Sequence, residues 1–142
     1  MRRAYSLIEL LVAFAIVSLM TAAALPRVAA WFDWLAVEQA AQRVTLALSA
    51  TRNAAALRGT QARLELGQDS LRVDEWTDRT WIPVLRWPGA TFQGVTLTAS
   101  NPTVAFDALG IGVGFANTKI VLSRGLHIAT ITTSRLGRVK RW

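Results

Sequence analysis

Residues 5–26 read YSLIELLVAFAIVSLMTAAALP, an apolar run with one carboxylate, Glu9, near its start and two arginines, Arg2 and Arg3, just before it. A carboxylate held at the centre of a bilayer costs about 2.5–3.5 kcal/mol on insertion scales, so an acid in such a segment calls for a partner. The segment offers none: its other polar side chains are Ser6, Ser18 and Thr21. The simplest partner is an amino terminus, produced by cutting the chain a few residues earlier and presented by a neighbouring copy or a related subunit.

Working outward from Glu9, the run Arg2-Arg3-Ala4-Tyr5-Ser6-Leu7-Ile8-Glu9-Leu10-Leu11-Val12 resembles the class III signal of type IV prepilins and type II secretion pseudopilins. That signal has a basic leader, Gly, Phe, Thr-Leu-Ile-Glu and an apolar helix. Ala4 stands where the family has Gly, and Tyr5 where it usually has Phe. The resemblance implies that a prepilin peptidase cuts between Ala4 and Tyr5 and methylates the new amine on Tyr5, and that Glu9 pairs with that amine on an adjacent subunit. Alanine adds little bulk over glycine, so cleavage is expected to survive. Pro26 falls where pilins commonly carry a helix-loosening proline.

Two rival readings of the same stretch exist. Ala22-Ala23-Ala24 fits the small-residue site of an ordinary secretory signal peptide, although Glu9 at the front of its apolar core is awkward for it. A plain membrane anchor is the other. The paired arginines resemble a twin-arginine export signal in nothing else. Arg2 and Arg3 favour a cytoplasmic N-terminus, so residues 1–4 read as a short leader. The resemblance implies a single pass through the bacterial inner membrane, in contact with its lipid, with the head in the periplasm.

From Arg27 to Arg58 apolar residues recur at three and four, at Val28, Trp31, Leu35, Ala40, Ala41, Val44, Ala47, Leu48, Ala54 and Ala55, while Gln39, Gln42, Arg43 and Arg52 face away. Gly59 suits a left-handed helix end. A helix over about residues 6–58 would run roughly 80 Å, its first half (5–26) a membrane and assembly segment and its second half (27–59) amphipathic. About 85 residues remain for one small head.

Past Gly59 the period changes to two. Ala62–Leu66 and Leu71–Trp76 form a hairpin across Gly67-Gln68-Asp69-Ser70. Trp81–Trp87 contains Pro83 and is an edge strand or an irregular loop. A strand is expected near 91–98, a short one at 104–106, and two more at 118–123 and 126–133. The pattern gives an α+β fold class, and the resemblance implies that it is pilin-like: a long N-terminal helix packed on a small antiparallel β head covering residues 60–142.

The head extends the resemblance. LSATRNAAALRGTQARLEL (48–66), VAFDALG (104–110) and the closing Gly137-Arg138-Val139 are similar to the GspH/FimT family of minor pseudopilins and pilins. The resemblance implies a non-enzymatic structural subunit near a filament tip, with prepilin peptidase and other minor and major pseudopilins or pilins as partners. The branch expected is the H-type minor pseudopilin of type II secretion.

The chain carries 16 Lys and Arg against nine acids, a formal charge of +7, and 14 of the 16 are arginine. Every acid lies at or before Asp107, whereas Lys119, Arg124, Arg135, Arg138, Lys140 and Arg141 follow it, so the chain ends in a cationic surface. The resemblance implies a second function for this end, because FimT-type pilins bind DNA through a C-terminal Gly-Arg-x-Arg element. Gly137-Arg138-Val139-Lys140, flanked by Arg135 and Arg141, matches it with lysine in the last place. Such residues on a flexible end would grip phosphates without reading bases. The competing reading is a structural chain end whose charges are solvated or meet an acidic neighbour.

Groups for catalysis are scarce. There is no cysteine, and the single histidine, His127, lies in a β-type stretch and reads as structural. Asp74, Glu75 and Asp78 could attract a divalent cation through oxygen ligands, but their spacing fits no ligand loop, and a solvated turn is the expected reading. Gly110, Gly112 and Gly114 lack the following helix that a phosphate loop needs. No catalytic residue, cofactor or metal is expected. Of the six tryptophans, Trp31 and Trp34 suit a membrane interface, Trp76, Trp81 and Trp87 a core or subunit contact, and Trp142 stacks on a base or packs back on the sheet.

Overall fold

The computed structural model describes residues 6–114 and 117–142. Helix α1 runs Leu7–Arg58 and contains Pro26. Proline is tolerated there at the loss of the hydrogen bond its missing N–H would donate to the preceding turn. The chain separates into two compact units, Met1–Phe32 and Asp33–Trp142.

In the first unit the helix is exposed throughout, with Leu7, Ile8, Leu10, Leu11, Phe14, Ile16, Leu19 and Met20 all more than half open. It is long and apolar enough to cross a membrane. Its hydroxyls are satisfied within the helix: Ser18 donates to the Phe14 carbonyl and Thr21 to the Val17 carbonyl, both at 2.8 Å. That internal pairing is what a lipid-facing helix requires.

The second unit begins at Asp33, inside the amphipathic stretch. Ala36, Val37, Ala40, Ala41, Val44, Ala47, Leu48, Thr51 and Ala55 form the buried stripe of α1. Most of these side chains are small, which lets sheet backbone approach the helix closely. The stripe shares one core with Leu64, Leu71, Val73, Phe106, Ile120, Leu122 and Ile131.

Nine strands follow among the described residues: β1 Ala62–Leu66, β2 Ser70–Thr77, β3 Thr80–Pro88, β4 Thr96–Ala99, β5 Thr103–Phe106, β6 Gly112–Val113, β7 Thr118–Arg124, β8 His127–Thr133 and β9 Val139–Arg141. They form two sheets, one in the order β3-β2-β1-β5-β6 and one in the order β4-β7-β8-β9, with antiparallel neighbours throughout. The fold is thus a long N-terminal helix whose second half packs on antiparallel β structure.

The first hairpin has the expected register, with Leu64 opposite Val73 and Leu66 opposite Leu71. Trp81–Trp87 lies in an edge strand, and Pro83 falls at a register shift beside Val73/Asp74, where a missing N–H does least harm. The expected strand at 91–98 is shorter than its pattern. Residues Ala90–Gln93 form a 3-10 turn closed by Gly94 at φ 64, and β4 starts only at Thr96. The cationic tail is not a loose end, since its last residues pair with β8 as β9, with Thr132 opposite Lys140 and Thr133 opposite Val139.

Candidate functional site

At the start of α1 the Ser6 amide donates to Glu9 Oε2 at 3.4 Å, while the Glu9 amide reaches the Ser6 carbonyl at 3.0 Å. A carboxylate in a first turn is favoured by the helix dipole. This one is exposed and has no ion-pair partner among the described residues. Ala4 and Tyr5, the expected cleavage and methylation positions, lie outside the described residues. Pro26 is within α1, and Trp31 stacks edge-on against Phe32 with ring centroids 5.4 Å apart.

At the other end, Gly137 sets the path of the tail. It is left-handed at φ 70, and its amide donates to the Ser134 carbonyl at 2.9 Å. A Cβ at this position would come within 2.9 Å of the Gly110 carbonyl oxygen and 3.4 Å of both Arg52 and Phe106. That same carbonyl accepts from Arg52 Nε at 3.0 Å. The Gly in Gly-Arg-Val and the Gly in Phe-Asp-Ala-Leu-Gly are therefore two halves of one contact on the helix.

Beyond Gly137 the basic residues divide. Arg141 donates to the Glu38 carboxylate, tying β9 to α1. This hydrogen bond lowers the Glu38 pKa below its ordinary value and raises that of Arg141. Lys140 places its ammonium 3.5 Å from the Trp142 ring centroid, a cation–π contact. Arg138 and Lys140, with Lys119, Thr132 and Trp142, line an open cleft of about 440 Å³. Arg135 lines a separate cleft between β5, β6 and the ends of β7 and β8. The structure thus brings together Arg138, Lys140, Lys119 and Trp142, and assigns Arg141 to an internal bridge.

Of the acidic cluster, Asp78 is exposed in the turn after β2, as a solvated turn would have it, but Asp74 and Glu75 are buried within β2. Asp74 is 1 % exposed, with Arg63 Nη2 and Arg72 Nε each 2.9 Å from its carboxylate oxygens. Glu75 is 3 % exposed and accepts from Arg58 Nη1 at 2.6 Å. Two buried carboxylates already neutralised by three arginines leave little for a cation. Among the described residues no group of His, Cys, Asp and Glu is placed to hold a metal. The hydrogen bond from Arg72 to Asp74, together with the charges of Asp74 and Glu65, raises the Arg72 pKa. Nearby, Arg63 lies 4.4 Å over the Trp81 ring, and Trp81 meets Trp76 edge-on. His127 opens β8, half-buried and opposite Arg124.

Glu38 and Arg52, which hold the tail, carry no local mark in the sequence. Their partners are 103 and 58 residues away. The spacing between Phe106, Gly110 and Gly137 was the available signal, and it pointed to the element without naming the arginine that completes it.

A membrane-capable helix with an acid in its first turn, continuing into a helix-packed antiparallel head, is a type IV pilin-like fold. Residues 1–25 match the prokaryotic N-terminal methylation motif, which implies prepilin peptidase processing and assembly with other pilins. The fold is similar to that of the type IV minor pilin FimU of Pseudomonas aeruginosa (strain PAO1) in two crystal forms. For the P21 form the TM-score is 0.64 at 14% identity, covering 73% of this chain and 86% of FimU. For the P65 form it is 0.62 at 15% identity, covering 74% and 91%. No curated protein matches the chain. The motif is confined to the first 25 residues, and the likeness to FimU is one of fold.

Proposed function

We propose that this chain is a non-enzymatic minor subunit of a type IV pilus-like filament, and within that class the H-type minor pseudopilin of a type II secretion system. In this reading residues 1–4 are removed, Tyr5 is N-methylated, and residues 5–26 hold the subunit in the inner membrane with its head in the periplasm. Glu9 then recruits the chain by pairing with a neighbour's amine, and Pro26 loosens the helix between its two halves. The observation that carries the filament reading is Glu9 itself: an exposed carboxylate in an otherwise apolar stretch of helix, with no ion pair among the described residues, that a complementary amine would neutralise. Glu9→Leu is expected to leave membrane insertion intact and abolish incorporation into the filament. Incorporation at the normal level would refute the pairing.

What supports the secretion branch is the structural use of the tail, since Gly137 is packed on Arg52 and Arg141 is engaged by Glu38. A second reading, a DNA-binding minor pilin for DNA uptake, is favoured by the cleft where Lys119, Arg138 and Lys140 converge beside Trp142. Three cations next to a stacking surface suit a single or double strand held by its phosphates. A mobility shift with the full chain in detergent separates the two. The secretion reading predicts no retention of DNA near physiological salt. Retention that Arg138→Gln with Lys140→Gln removes would transfer the chain to the DNA branch.

A further inference from the structure

Where the chain enters the second unit, a clamped turn carries an exposed apolar tip. Strands β7 and β8 meet at Arg124-Gly125-Leu126-His127. Arg124 Nε lies 2.7 Å from Asp33 Oδ1, and the same guanidinium donates to the Gln93 carbonyl. Gly125 is left-handed at φ 56, and a Cβ there would sit 2.7 Å from the Asp33 carboxylate. The turn is therefore pressed against α1 at Asp33. Held in this way it presents Leu126 at 98 % exposure, with Ile128 at 67 % on the next strand and Trp34, beside Asp33 in sequence, at 46 %.

We propose that this turn is a lipid-interface contact, with Leu126 entering the headgroup layer of the membrane that holds the helix. The inference rests on the membrane reading of residues 5–26. Three observations select lipid as the occupant. The first is connectivity: only five residues separate Arg27, where the uncharged run ends, from Asp33. Even a fully extended chain would tether the turn within roughly 20 Å of that end. The second is composition, because an indole and aliphatic side chains beside arginine and histidine match the amphipathic character of a bilayer interface. The third is charge, since a formal +7 opposes a second copy of this chain and favours anionic headgroups. A subunit so seated would have to lift its head from the bilayer before joining a filament, which makes release of the turn an early step of extraction.

The chain has no cysteine, so single-cysteine labelling is clean. Leu126→Cys, Leu109→Cys and Phe14→Cys each replace an exposed side chain and leave no cavity. Each variant of the full chain would carry a polarity-sensitive fluorophore in vesicles of phosphatidylethanolamine and phosphatidylglycerol, with a headgroup spin-labelled lipid as quencher. Leu109 is the aqueous reference, because the adjoining Gly110 packs on Arg52, far along α1 from Asp33. The expected result is blue-shifted emission and stronger quenching at Leu126 than at Leu109. Equal quenching at the two sites overturns the inference, as does a blue shift at Leu126 without quenching, which would mean a protein neighbour. Phe14 separates the two levels: a water-like signal there sinks the membrane reading as well, whereas a lipid-like Phe14 with a water-like Leu126 sinks the turn contact alone.

Discussion

The Arg141 guanidinium donates to the Glu38 carboxylate, joining the penultimate residue of the chain to the long helix across 103 positions. A basic tail that reads as free charge is thereby part of the fold, and only some of its cations remain available to a partner. The pH dependence of this bridge has a definite sign. Glu38 titrates below its ordinary value of 4.5 in the folded chain, chiefly because Arg141 donates to it. Its contribution is present in full above that value and is lost as pH falls through the lower folded pKa. Removing the bridge with Glu38→Gln is expected to cost about 0.2–1 kcal/mol at neutral pH, as surface pairs do. Thermal unfolding of both proteins should show the difference at pH 7 and its disappearance well below 4.5.

Gly137→Ala combines two penalties. A left-handed alanine costs about 1–2 kcal/mol, and its Cβ would meet the Gly110 carbonyl oxygen at 2.9 Å. Gly59 is also left-handed, but a Cβ there meets nothing within 4 Å. Chemical denaturation should rank Gly137→Ala as clearly the more destabilising of the two, and equal losses would contradict the contact with Gly110 and Arg52.

Asp74→Ala removes the acid that Arg63 and Arg72 share. Both guanidinium groups keep partial access to water, so the expected loss is about 1–3 kcal/mol rather than that of a fully buried charge. Loss of intensity or a red shift in tryptophan emission should accompany it, because Arg63 also rests on Trp81.

Leu48 and Leu57 test which face of the amphipathic half carries the head. Leu48 is fully buried and Leu57 is 87 % exposed. Leu48→Ala is expected to cost about 2–5 kcal/mol, while Leu57→Ala should stay within about 0.5 kcal/mol of the parent in the same melts.

Much of this architecture is legible in short-range pattern. The apolar run with Glu9, the stripe from Ala40 to Ala55 and the alternation of Ala62–Leu66 with Leu71–Trp76 each depend on neighbours within a few residues, whereas Val28 and Trp31, which share the same spacing, are exposed and Ala36 and Val37 are buried instead. The missed features depend on distant ones. Asp74 and Glu75 read as solvated because two of the three arginines that neutralise them lie on other elements, Arg58 at the end of α1 and Arg63 on β1, the latter brought opposite Asp74 by the β1–β2 pairing. Residues 91–95 alternate well enough for a strand, yet Gly94 turns the chain out of it. Strand β9 has three residues, two of them cationic, and exists because β8 offers an edge. The tail cleft was legible as charge, but its division into bound Arg141 and open Arg138 and Lys140 required the helix to be in place.

The methylation motif spans residues 1–25 and includes Glu9, and the filament reading turns on how this segment is processed. Mass spectrometry of the mature protein from its native membrane tests this directly. The filament reading predicts a chain that starts at N-methyl-Tyr5; a chain that starts at Met1, or at Leu25 after signal-peptide cleavage, would contradict it.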